Sequence, residues 1–213
     1  MIKTLIKLPL IILFFFSNII VSQTDAGTFQ NKQKFSILFV GNSLTYSNDL
    51  PNIVKLIAKQ KGIILTTKMI AFANYSIEDH WKDGEVQNQL NKKTYDFVII
   101  QQGPSSQANG KKMLINYGKK YTELCKINNV KLCYFMVWPS INYYHTFKGV
   151  INNYREAAIK NNAIICPVGE RWKTYFDTTN NFDYYSVDGF HPSVKGSQVA
   201  AEIIVLSLFS NND

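Results

Sequence analysis

Phe35-Ser36-Ile37-Leu38-Phe39-Val40-Gly41-Asn42-Ser43-Leu44-Thr45 holds a short apolar run that stops at a glycine and passes into a polar turn. A run of this length, without the alternation of a half-solvated strand, predicts a strand buried on both faces of a parallel sheet. Helical patterning follows. Asp49 suits a cap, Pro51 a first turn, and Ile53, Val54, Leu56 and Ile57 keep one face apolar up to Gly62. The couplet then repeats. Strands are predicted over 63–72, 96–100, 131–138 and 163–166, and helices over 76–81, 85–91, 111–128, 147–160 and 193–209. This alternation predicts the α/β class: a three-layer α/β/α sandwich on about five parallel strands in flavodoxin-like order. All strands of such a sheet end on one edge, where loops from distant parts of the chain meet.

The N-terminus differs in kind. Lys3 and Lys7 flank an apolar stretch running from Leu8 to Phe16 and on to Val21, and Ser22 gives a small residue before Gln23. That pattern predicts a secretory signal peptide over 1–22, with no cysteine at the junction for a lipid anchor and no stable membrane anchor after cleavage. A polar, flexible lead-in over 23–34 and one domain over 35–213 follow. The expected location is periplasmic or secreted. The net charge of +8 includes Lys3 and Lys7, and the other lysines are scattered. With no dense basic run and no recognition motif, nucleic acid is not an expected partner. The cysteines are Cys125, Cys133 and Cys166, an odd number without metal-ligand spacing.

Ser43 stands where a strand turns into a helix, with its side chain exposed and first-turn N–H groups nearby. Alone, that is also the description of a helix cap. Asp188-Gly189-Phe190-His191 near the other end supplies what a weak serine nucleophile needs. His191 can take the hydroxyl proton, and Asp188 can accept the opposite ring N–H and fix the tautomer. Glu78, Asp79 and His80 lie close in sequence but read as a capped helix rather than a metal site, so neither metal nor cofactor is expected.

On these segments the chain resembles the SGNH, or GDSL-type, hydrolases. Gly41-Asn42-Ser43-Leu44 matches the nucleophile block, with Asn42 where the family commonly has Asp. Asp188-Gly189-Phe190-His191-Pro192 matches the acid and base block, and Asp96-Phe97-Val98-Ile99-Ile100-Gln101-Gln102-Gly103 falls at the third block. The resemblance implies catalysis by Ser43, His191 and Asp188. It also implies an oxyanion hole from the Ser43 N–H, a second-block N–H and a third-block amide. The second block is Ala73-Asn74-Tyr75-Ser76, without the family's glycine, so Asn74 is the expected donor. Asparagine tolerates positive φ better than other residues. The third block lacks Gly-x-Asn, and Gln102 is the expected substitute. Tyr75 and Trp138 are the candidate substrate-lining residues. Tyr143, Tyr144, Tyr184 and Tyr185 are expected on loops at the same edge.

These readings predict an exported serine esterase acting on a small-molecule or glycan ester, with short acyl groups such as acetyl on carbohydrate. The alternatives are a lysophospholipase or lipase and a non-catalytic glycan-binding module on a degenerate hydrolase fold.

Overall fold

The computed structural model describes residues 34–210. The signal peptide and the lead-in as far as residue 33 lie outside the described residues, and Lys34 already belongs to the first strand.

Five parallel strands form one sheet in the order β2-β1-β3-β4-β5. They are β1 (Lys34–Gly41), β2 (Ile64–Ala71), β3 (Phe97–Ile100), β4 (Lys131–Phe135) and β5 (Ile164–Cys166). This is the flavodoxin-like order, and its switch point lies between β1 and β3. The central strands read as unbroken apolar runs because helices cover both faces. Ile37 to Val40 and Val98 to Ile100 are essentially inaccessible to solvent.

α2 (Leu50–Gln60) packs on α8 (Val194–Phe209), while α5 (Ala108–Ile127) packs on α3 (Ile77–Asp83) and α6 (Phe147–Lys160). The remaining helices are the single turn α1 (Ser43–Tyr46), α4 (Glu85–Lys92) and α7 (Val168–Thr179). α7 falls in a stretch the periodicity reading leaves unassigned. Val168, Trp172 and Phe176 recur at helical spacing and are buried. The fourth strand stops at Phe135, short of 138. β5 has only three residues, so the ladder ends at Phe135 opposite Cys166. Asp49 precedes α2 in a left-handed conformation (φ 53°) and makes no side-chain cap.

Cys125, Cys133 and Cys166 are all buried free thiols, and burial pushes Cys125 and Cys166 up to about 12. No described helix is long and apolar enough to cross a membrane.

Candidate active site

The loops leaving β1, β2 and β3 converge on Ser43. Asn42 shapes the first of them. Its Oδ1 accepts from Leu44 N at 3.1 Å and caps α1, while its Nδ2 donates to Tyr75 O at 3.0 Å. Ser43 therefore opens a helical turn, and its N–H has no partner four residues back.

His191 arrives from the loop before α8. Its Nε2 lies 2.9 Å from Ser43 Oγ, and its Nδ1 lies 2.6 Å from Asp188 Oδ2. An ionised carboxylate only accepts, so Nδ1 carries the proton and Nε2 is free to accept from the Ser43 hydroxyl. The Asp188 loop is closed on itself. Oδ1 accepts from Ser186 Oγ at 2.7 Å and from the N–H groups of Phe190 and His191, each at 2.9 Å. Gly189 takes φ +67°, and a Cβ there would sit 2.7 Å from the Ile141 side chain. The hydrogen bond from His191, joined by those from Phe190 N, Ser186 and His191 N, holds the Asp188 carboxyl well below the ordinary carboxylate range despite some desolvation.

Asn74 lies in the turn after β2, which is closed by Tyr75 N donating to Phe72 O at 3.2 Å. Its φ of 62° is left-handed, the conformation in which asparagine is the best substitute for glycine. Ser43, Asn74, Tyr75 and Gln102 line a common cavity of about 280 Å³, floored by Gly110 and Met113.

Two expected residues are placed otherwise. Gln102 is buried, and its Nε2 donates to Ser105 Oγ at 2.7 Å and to Gly110 O at 3.3 Å. Both amide protons are committed, one to Ser105 in the β3–α5 loop and one to Gly110 in the first turn of α5, so Gln102 offers no free donor to the cavity. Its extra methylene, relative to asparagine, lets the amide fold back onto that loop. Trp138 is fully buried, stacked on Trp172 at 3.5 Å, and lines no cavity wall. Its indole N–H instead donates to Phe190 O at 2.9 Å, one peptide before His191.

Other residues that build the site carried no clear sequence signal. Gln101 Oε1 accepts from Asn42 N at 3.0 Å and from Thr45 Oγ1 at 2.8 Å, bracing the turn that carries Ser43. Consecutive residues of an extended segment face opposite sides, so Gln101 meets β1's turn while Gln102 cannot. His80, in α3, is buried with Nε2 2.7 Å from Gly41 O. That carbonyl also accepts from Phe72 N at 3.2 Å, so two donors fix the peptide that leads into Asn42. Among the described residues no cluster of acidic, histidine and cysteine side chains could hold a metal ion.

No family model matches the chain, and no curated protein matches it in sequence. Solved structures match it in fold. A protein described as an SGNH hydrolase from Slackia heliotrinireducens superposes with a TM-score of 0.70 at 20% identity, over 83% of this chain and 100% of that one. A lipase/acylhydrolase from Enterococcus faecalis gives 0.63 at 16% identity, over 80% and 93%. An acetylxylan esterase from Geobacillus stearothermophilus gives 0.58 at 15% identity, over 82% and 94%. The strand order, the helical layers and these likenesses together assign the chain the SGNH-hydrolase fold.

Proposed function

We propose that the protein is an exported serine esterase of the SGNH type that removes short acyl groups from an alcohol. The observation that carries this reading is the hydrogen-bonded series Ser43–His191–Asp188 at the wall of a cavity. Ser43 Oγ attacks the ester carbonyl as its proton passes to His191 Nε2. The N–H groups of Ser43 and Asn74 face the developing oxyanion. Asp188 stays ionised and supports the imidazolium. His191 then protonates the alcohol oxygen as the bond from the acyl carbon to that oxygen breaks. Water attacks the acyl-enzyme, giving its proton to His191, and the acid leaves with Ser43 restored.

The cavity beside Ser43 is small, about 280 Å³, and its walls mix polar Asn42, Asn74, Ser76 and Ser105 with apolar Met113 and Phe190. That favours an acetyl-sized acyl group over a long chain, which needs an extended apolar groove. Fold neighbours include acetylxylan esterases, which supports an ester of carbohydrate. Export rests on the charged and apolar pattern of residues 1–22. A glycan-binding module would have no need for the aligned Ser43, His191 and Asp188.

Hydrolysis of p-nitrophenyl acetate and p-nitrophenyl octanoate, beside Ser43→Ala, tests the reading. The expected result is turnover of acetate well above octanoate, lost in Ser43→Ala. Octanoate preference would favour the lipase reading, and equal rates in wild type and Ser43→Ala would reject the nucleophile.

A further inference from the structure

A second cavity, of about 590 Å³, lies against the first and shares Pro104 and Phe190 with it. Asp188 of the histidine loop forms part of its wall, opposite Gln107, Ser140, Asn142 and Tyr143. We propose that this cavity is the subsite for the alcohol half of the ester, and that the alcohol is an uncharged sugar. The inference rests on the esterase reading given above and adds which side of the site the sugar occupies and which residues select it.

Orientation follows from proton transfer. Ser43 and Asn74, the proposed oxyanion donors, line the smaller cavity, so the acyl carbon and its short substituent belong there. His191 must reach both Ser43 Oγ and the departing oxygen, so the alcohol leaves on the histidine-loop side. The larger cavity opens along that loop.

The lining chooses the chemistry. No lysine or arginine borders the cavity, and its one charged side chain, Asp188, already accepts four hydrogen bonds. A phosphate or carboxylate on the alcohol would meet a negative charge and no cation. The side chains of Gln107, Ser140 and Asn142 make no hydrogen bond to other described residues, leaving amide and hydroxyl groups for a polyol. Tyr143 adds a flat apolar face. It is 63% exposed, whereas Tyr184 and Tyr185 are buried in the aromatic cluster around Trp172.

The backbone of Tyr143 is also held in place. Its N–H donates to Ser140 O at 2.9 Å, and Thr146 Oγ1 donates to its carbonyl at 2.7 Å. Ile141 N, in the same turn, donates to Gly189 O at 2.8 Å, between Asp188 and Phe190. The turn that presents the ring is thus tied to the loop that carries the base. An aromatic carried on a fixed turn beside unpaired polar groups is suited to a sugar ring, which has an apolar face and an equatorial rim of hydroxyls.

The test compares kcat/KM for a monoacetylated methyl glucoside, whose other hydroxyls are free, with that for ethyl acetate, in wild type, Tyr143→Phe, Tyr143→Ala and Asn142→Ala. Wild type should favour the glycoside. That preference should fall about tenfold in Tyr143→Ala, equivalent to the loss of one good contact, less in Asn142→Ala, and survive in Tyr143→Phe. A preference unchanged in Tyr143→Ala, or absent in an active wild type, would overturn the subsite while leaving the esterase intact. Inactivity of wild type toward both esters would remove the esterase reading and the subsite with it.

Discussion

The indole N–H of Trp138 donates to the carbonyl oxygen of Phe190 at 2.9 Å, and so anchors the peptide that precedes His191 to the segment that follows β4. Trp138 is itself immobilised by its stack on Trp172. The loop holding His191 is therefore referenced to the sheet that also positions Ser43. Trp138→Phe keeps an aromatic ring on Trp172 but removes the donor. Turnover should fall with little change in KM, and stability should drop by more than the ~1 kcal/mol of one hydrogen bond, because the smaller ring also leaves a cavity in the core. Paired kinetics and urea unfolding check both. A loss in KM alone would mean that Trp138 does not act through His191.

Gly41 has no room for a side chain. A Cβ there would lie 2.2 Å from Thr45 Oγ1 and 2.5 Å from Gln101 Oε1. Both atoms belong to the brace that holds the nucleophile turn. Gly41→Ala should cost about 1–3 kcal/mol, as overpacking of a close-packed site does, and should reduce kcat more than KM. Thermal unfolding together with steady-state kinetics will show it. A variant of wild-type stability would contradict the close approach.

His80 predicts an acid-side loss of stability. Burial lowers its pKa, and the bond to Gly41 O together with the nearby Asp83, Asp79 and Glu85 only partly offsets that. Phe72 and Tyr75 pack against the ring. The folded form resists a proton that the unfolded chain accepts near pH ~6.5. Stability is therefore complete above that pH and declines as pH falls below it. His80→Gln carries no such group, so its urea midpoint should fall less between pH 7 and pH 5 than that of wild type. Parallel slopes would show that His80 titrates alike in both states.

Much of this was legible in the sequence because the signals are local. The apolar run before Gly41, the turn at Asn74 and the Asp188–His191 spacing each report a short-range constraint, and the parallel sheet brings them to one edge. What was not legible depends on orientation across elements. Gln101 and Gln102 are adjacent and chemically alike, and only the facing of β3 against β1 decides which one braces the serine. Trp138 stands at the right edge for a pocket wall, yet the neighbouring Trp172 covers it. That partner lies in α7, whose apolar positions Val168, Trp172 and Phe176 are spaced by four among polar residues, a pattern that the periodicity reading leaves unassigned. Tyr184 and Tyr185 were hidden for the same reason, since α7 buries them.

The proposed mechanism makes Ser43 a nucleophile activated by His191 and Asp188. The most direct measurement is intact-mass and peptide mass spectrometry after incubation with a p-nitrophenyl alkylphosphonate, which phosphonylates an activated serine and releases p-nitrophenol. One adduct per chain, located at Ser43, absent in Ser43→Ala and formed far more slowly in Asp188→Asn, is the predicted result. An unmodified wild type, or an adduct on another residue that persists in Ser43→Ala, would contradict it.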